Sequence, residues 1–466
     1  MAFCNPFERV TRASVSFIRP MLVAGVSLAM SLCLSAEPAV AQGIDLIRDT
    51  EIERVLKSYE DPIATAAGLD PAAIKIYIVN DSSINAFVAE GQNIFVNTGL
   101  FMQLKTPNQV IGVMAHETGH IAGGHLLRDT SAMNKASVPM LIGLAVGIAA
   151  MAMGAGEAGM GAIMLGQQAA MSQFMSFSRV QEATADQMGQ RFLRATHQSG
   201  EGMVEVFEKM ANEAAMHGAF KNPFISDHPA DRERIDLLQR LADASPYRDV
   251  KDSPESVHEF HMIQAKLAGF LATVDSVLVR YPVSDKSEEA RYARAIAYFQ
   301  KPELALALSE INSLIKDEPK NPYFYEVLGQ IYVSMGQPEK GVGPYQKAVN
   351  AQPDAPLLRV LLASAQLATD KPILAKPALD NLKIALQQEN DDTFAWYETA
   401  QAYSTLGNQP MADLSTAEQY YYAGVMGKAA LFAKRAAHNL PEGSADWERA
   451  NDIMAVAGPQ ANQRRN

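Results

Sequence analysis

Residues 321–353, NPYFYEVLGQIYVSMGQPEKGVGPYQKAVNAQP, place Tyr325, Leu328, Gly329, Tyr332, Gly341, Tyr345, Ala348 and Pro353 in a fixed phase. Thirty-four residues earlier the phase recurs as Ala295, Tyr298, Ala307, Ile311 and Pro319. After a short insertion it returns downstream as Trp396, Ala400 and Tyr403. Self-similarity at this period is the signature of a repeat unit built from two helices. Such a pair buries its apolar face only against its neighbours, so the units must stack into one solenoid with a concave groove. Stretches 258–281 and 416–438 read as degenerate end units. The array is therefore expected over about 255–440, with a C-terminal tail at 441–466. An irregular helical bundle is the competing arrangement, and it would have no need of the constant phase.

The preceding half of the chain is organised differently. Residues 46–67 read as a helix with a kink at Pro62. Three short β-like runs follow, IKIYIV (74–79), NAFVA (85–89) and NIFVN (93–97), with Gly91 at the turn between the last two. This small sheet directly precedes TPNQVIGVMAHETGHIAGG, in which Thr106 suits an N-cap, Pro107 a first helical residue, and Gly123 and Gly124 a stop.

That helix contains His116, Glu117 and His120. A chain with nine histidines is expected to spell H-E-x-x-H by accident only about 0.01 times. Positions i and i+4 share a helix face, so both imidazoles can reach one ion. Zn²⁺ accepts imidazole nitrogen, and a catalytic site keeps one position for water. Glu117 lies about 100° round the helix from His116, close enough to take a proton from that water. Two histidines on an ordinary buried helix are the bland alternative.

A third protein ligand is then needed. The segment FSRVQEATADQMGQRFL (177–193) offers Glu182 and Asp186, again four apart. Alone they would read as a solvated helix face. Beside two histidine ligands, Glu182 becomes the candidate third ligand. Asp186 becomes the candidate acceptor for the outer nitrogen of a ligating imidazole, which would fix its tautomer. Further on, ISDHPADRERIDLL (225–238) holds His228 extended before Pro229, with Arg234 in the following helix. An ordinary helix-start turn is the alternative there.

The first 41 residues read as a secretory leader. Arg9, Arg12 and Arg19 precede the apolar run 21–35, and AVA at 39–41 predicts cleavage before Gln42; an uncleaved anchor is the alternative. Both cysteines, Cys4 and Cys33, fall inside it, so the remaining 425 residues need no disulfide in an oxidising compartment. Without the leader the net charge is −13, which argues against nucleic acid and against anionic lipid as main partners. The apolar stretch 138–175 allows three readings: a helical hairpin packed on the domain or resting on a membrane surface, a transmembrane pair, or a buried core helix.

His116-Glu117-x-x-His120, then Glu182 within EATAD, then DHPADRER, all after INAFVAEGQNIFVNTGL, resemble the zinc peptidases related to CAAX prenyl endopeptidases and HtpX. The leader and the C-terminal repeats, at tetratricopeptide spacing, narrow the resemblance to the periplasmic, β-barrel-assembly branch of that family in Gram-negative bacteria. It implies a mainly α chain. An α+β zincin-type metalloprotease domain with a small sheet would occupy 42–254, followed by an all-α tetratricopeptide solenoid. It implies one Zn²⁺ per subunit on His116, His120 and Glu182, with Glu117 activating water. It implies an edge strand at Asn85, Ala86, Phe87 and Val88 that pairs with substrate backbone. His228 and Arg234 would steady the oxyanion, or His228 would take the fourth metal position and hold the enzyme off. The implied partners are unfolded or misassembled outer-membrane proteins, and the β-barrel assembly machinery through the repeats, with peripheral membrane contact open. Two rival readings remain: a repeat-bearing chaperone or scaffold with only structural zinc, and an integral membrane protease.

Overall fold

The computed structural model describes residues 45–89, 91–125, 164, 179–217, 228, 232–301 and 303–463. The leader 1–41 and, Met164 apart, the apolar stretch 138–175 lie outside the described residues. Among the described residues, no helix is long and apolar enough to cross a membrane.

The chain divides into two compact units. The first reaches Arg48 and resumes over Leu56–Asp252; the second comprises Asp49–Val55 and everything from Ser253 onward. Residues 49–55 thus belong to the second unit although they precede the first unit's main span.

In the first unit a four-stranded sheet has the order β1-β2-β4-β3. Its strands are β1 (Leu46–Ile47), β2 (Lys75–Val79), β3 (Ala86–Ala89) and β4 (Asn93–Asn97). β2 and β4 run parallel, while β1 and β3 flank them antiparallel. Residues 46–47, expected to begin a helix, instead form β1 and pair with Val79 and Ile78. The helix itself, α1, is Thr50–Ala66 and carries Pro62 in its interior. β3 closes back on β4 around Gly91, whose φ of 98° belongs to the left-handed region that glycine tolerates. Tyr77, Phe95 and Phe87 stand in register on neighbouring strands and stack at 5.1 and 5.0 Å. Such cross-strand aromatic pairs pin register. β3 is thus an edge strand, and it packs beside α3 (Pro107–Gly123), which follows the short helix α2 (Thr98–Gln103).

A helix over 179–195, α4, then α5 (Glu201–His217) and α6 (Arg232–Asp243) complete this unit. α5 packs against α3, and α6 against α5. The buried core includes Ile78, Val96, Val113, Phe192 and Phe207.

The second unit is a run of antiparallel helix pairs. Pro254–Leu271 and Val274–Arg280 come first, then Glu288–Gln300 with Leu304–Asp317 and Pro322–Ser334 with Pro338–Ala351. Ser253, Ser287 and Asn321 cap helix starts with side-chain oxygens. Pro356–Ala368 keeps the 34-residue phase from Pro322, but its partner Ala375–Gln388 starts late by three residues. A three-residue turn of 3-10 helix, Pro372–Leu374, fills that gap. This is the insertion that shifts Trp396 out of phase. Thr393–Thr405 with Gln409–Tyr422 and Met426–Asn439 with Ala445–Gln463 finish the array. The expected C-terminal tail 441–466 is corrected here: Ala450, Ile453 and Ala457 are buried against the preceding helices, so most of it is the closing helix.

Candidate metal centre

α3 begins as expected. Thr106 accepts from the Gln109 backbone, and Pro107 occupies the first turn, where its missing N–H costs nothing. Within α3, His116 and His120 point to one side with their Nε2 atoms 3.1 Å apart. α4 can approach this face because glycines sit where the helices touch. A Cβ on Gly119 would stand 2.7 Å from the Ala185 carbonyl oxygen, and one on Gly189 would stand 3.1 Å from that of Ala115. The close approach delivers Glu182, whose carboxylate lies 3.4 Å from both His116 Nε2 and His120 Nε2.

His228 completes a group of four, three of them buried and His120 partly so. His228 Nδ1 is 3.3 Å from His116 Nε2 and 3.1 Å from either oxygen of Glu182. A tetrahedron with metal–nitrogen bonds of about 2.0–2.1 Å has edges of about 3.3–3.4 Å. Five of the six pairs among these side chains approach to 3.1–3.4 Å, Glu182 turning Oε2 to His116 and Oε1 to His120, and one donor atom from each of the four lies within 4.8 Å of the others. Neutral imidazoles and a carboxylate are also the donor set a borderline divalent ion such as Zn²⁺ takes. The residues therefore fit a bound metal ion.

Asp186 sits behind His116, with Oδ1 2.9 Å from Nδ1. Burial opposes protonation of His116, but Asp186 and Glu182 outweigh it and lift the imidazole to about 9. A ligating imidazole must be free of a proton on its metal-facing nitrogen, so metal and proton compete here. His120 moves the other way: burial and then the charges of His116 and His228 hold it well below the usual imidazole range. Burial would raise Glu182, yet His228 and His116 keep it ionised, and Asp186 is likewise lowered against its burial by His116 and Arg234.

Arg234, expected to steady an oxyanion, is placed differently. Its Nε and Nη2 donate to the two oxygens of Asp186 at 2.8 and 2.9 Å, and Nη2 also lies 3.1 Å from Glu182. The guanidinium stacks over Phe207, 5.1 Å from the ring centroid. Two adjacent buried carboxylates need a countercharge, and the bidentate fork of an arginine supplies one. In this arrangement Arg234 pairs with both carboxylates.

Glu117 is buried beside the cluster, with Oε1 3.6 Å from His228 Nε2. Ala86, Phe87 and Val88 lie on edge strand β3, and Asn85 immediately precedes it, its carbonyl accepting from Asn97 N at 3.0 Å. Two residues escaped the sequence reading. Glu60 of α1 accepts from Thr118 Oγ1 at 2.6 Å, and burial pushes its carboxyl up to about 8. No sequence signal marks it. His125 places Nδ1 3.0 Å from His120 Nδ1, and its signal was a third histidine just past the glycine stop.

Residues 47–242 match the model of Peptidase family M48. The chain is 24% identical over 408 residues to "Beta-barrel assembly-enhancing protease" of Escherichia coli (strain K12), covering 86% of this chain and 81% of that one. A "Putative beta-barrel assembly-enhancing protease" of Vibrio cholerae is 24% identical over 375 residues, 78% of this chain and 75% of that one. "Metalloprotease LoiP" of E. coli (strain K12) is 29% identical over 192 residues, 41% of this chain and 71% of that one. Among solved structures, "MamA MSR-1 C2" covers 36% of this chain and 95% of its own at 21% identity, with a TM-score of 0.31.

Proposed function

We propose that this chain, whose residues 47–242 are a peptidase family M48 domain, is a periplasmic zinc endopeptidase that degrades misassembled outer-membrane β-barrel proteins and assists their assembly. The proteolytic domain would be 42–254, and the repeats from 255 would supply surface for clients and for the assembly machinery. The β-barrel and periplasmic parts of this reading rest on the names of the relatives and on the expected leader.

The observation that carries the peptidase chemistry is the convergence of four metal-donor side chains with Glu117 alongside. His116, His120 and Glu182 would hold one zinc ion. When bound, zinc lowers the pKa of a water and polarises the scissile carbonyl. Glu117 accepts the proton of the attacking water and passes it to the leaving amine. Asp186 orients His116, and Arg234 pairs with Asp186 and Glu182. The edge of β3 would take the substrate backbone as an added strand.

His228 would take the position of the water, giving a resting, plugged state. Its Nε2 faces Glu117 at 3.6 Å, so one side chain covers both the fourth vertex and the base. Activation then requires His228 to move, and substrate or partner binding can bias that movement.

The test is cleavage of an unfolded protein by the purified chain, abolished by chelation and restored by Zn²⁺. Glu117→Gln should retain the metal and lose about 10²–10⁴-fold in turnover. Metal binding without cleavage in any condition, His228→Ala included, would support the scaffold reading instead. His228→Ala should raise basal cleavage at full metal occupancy. A fall of about 10²–10³-fold would assign His228 to the oxyanion. Glu117→Gln expressed in cells should trap outer-membrane β-barrel proteins, and trapping only inner-membrane proteins would overturn the proposed client class.

A further inference from the structure

We propose that His125 is a positioning residue for the metal centre: it accepts the outer N–H of His120 and so fixes the tautomer and ring plane of that ligand. The inference rests on the metal-centre reading above and extends it to a residue outside the motif.

The geometry requires the two imidazoles to play different parts. His120 directs Nε2 at His116 and Glu182, toward the ion. A ligating imidazole is neutral, so its proton resides on the other nitrogen, Nδ1. That nitrogen lies 3.0 Å from His125 Nδ1, with the rings edge to face at 4.9 Å and 82°. His125 Nδ1 must then be an acceptor, and its own proton sits on Nε2. His116 has the equivalent support from Asp186. The two histidines of one motif are thus held from behind by different chemistry, a carboxylate for one and a neutral imidazole for the other.

The chain is built to place this ring. α3 ends at Gly124 in the left-handed conformation, φ 62° and ψ 35°, and its N–H returns to the carbonyls of His120 and Ile121. This turn reverses the chain so that residue 125 folds back over the last turn of the helix. There the ring occupies the space a side chain at 123 would need. A Cβ on Gly123 would stand 2.4 Å from His125 Nε2 and 2.8 Å from two of its ring carbons. The backbone is tied as well, since Gln181 Nε2 donates to the His125 carbonyl at 3.3 Å, one residue before Glu182. His125 is 3% exposed. A surface histidine that merely followed a helix would need neither of these adjacent glycines nor the tie to α4.

The test is metal binding by the full-length chain stripped of metal. Zn²⁺ affinity is read by competition with a chromophoric chelator, and the Co²⁺ derivative by its d–d spectrum. Wild type should bind one ion per chain with a tetrahedral Co²⁺ spectrum; failure here would defeat the metal-centre reading itself. Given that result, His125→Leu should lose about 10–100-fold in Zn²⁺ affinity and alter the Co²⁺ spectrum. His125→Gln, which keeps an acceptor oxygen, should recover most of the affinity. Gly123→Ala, which displaces the ring while keeping the imidazole, should resemble His125→Leu. Melting of the metal-free variants reports any loss of fold separately. Wild-type affinity and spectrum in His125→Leu, or equal losses in the Leu and Gln variants, would overturn the proposal.

Discussion

Gly119→Ala tests whether metal affinity is set by how closely two helices approach. The added Cβ would lie 2.7 Å from the Ala185 carbonyl oxygen and 2.9 Å from its Cα. Both are backbone atoms, so no rotamer change relieves the contact. Restoring an ordinary separation moves α4 away from α3 by about 0.7 Å at that point. Glu182 sits one turn earlier on α4, already 3.4 Å from each ligating nitrogen of α3, at the upper end of the tetrahedral edge. The same displacement there would stretch those edges to about 4 Å, too long for both imidazoles and the carboxylate to bind one ion at full bond strength. The fold itself suffers less: overpacking costs about 1–3 kcal/mol, offset by about 1 kcal/mol of better helix propensity. Zinc affinity should therefore fall at least tenfold in a protein whose metal-free melting shifts only modestly. Gly343→Ala is the control, a helical glycine with open space around the added methyl, expected to be neutral or stabilising. A folded Gly119→Ala that binds zinc within about twofold of wild type would refute the reasoning.

Glu182→Ala should lose zinc outright, whereas Asp186→Asn should weaken it by about 10–100-fold; both are read by chelator competition, and tight stoichiometric zinc in Glu182→Ala would place the third ligand elsewhere. Arg234→Leu leaves Asp186 and Glu182 buried together without their countercharge and should cost about 3–5 kcal/mol in denaturant unfolding, while a near-neutral result would mean the brace is dispensable. Glu398, in the repeats, is raised by burial to about 6 despite a hydrogen bond from Ser364. The folded chain holds that proton more tightly than the unfolded one, so stability is greatest below about pH 4.5, falls as pH rises to about 6, and stays lower by roughly 1–2 kcal/mol above it. Glu398→Gln should flatten that fall and raise the melting temperature at pH 8; a lower melting temperature there would contradict the assignment.

The elements that the sequence disclosed are those whose pattern is local. The 34-residue phase located the helix pairs because each pair repeats the same burial problem, and even the three-residue slip before Trp396 was visible as a phase error. β2, β3 and β4 were legible from alternation and from the turn at Gly91. β1 was not, because two residues carry no period and the pairing partner lies some thirty residues on. The end of the array was missed for a related reason. Ala450, Ile453 and Ala457 are small side chains in a polar-looking helix, and only the alanine-rich face of Met426–Asn439 makes them a core.

The same distinction runs through the site. His116 and His120 could be paired from sequence because four residues of helix fix their separation, and Glu182 with Asp186 because a second helix imposes the same spacing. What a helical period cannot give is direction across a chain reversal or between elements. His125 is five residues from His120, a spacing that on a continuing helix would point it away from that ring; only the left-handed Gly124 brings it back. The oxyanion role of Arg234 comes from the family resemblance, and the sequence alone does not show which groups surround the guanidinium. In the fold, α6 sets it against Asp186 and Glu182, whose burial creates the stronger demand for a cation. A guanidinium already holding two carboxylates has little to gain from turning toward a substrate that is present only transiently. If Arg234 keeps this pairing during turnover, an oxyanion would be met by a bound metal, by His228 once displaced, or by backbone at the edge of β3, and these differ in their sensitivity to His228→Ala.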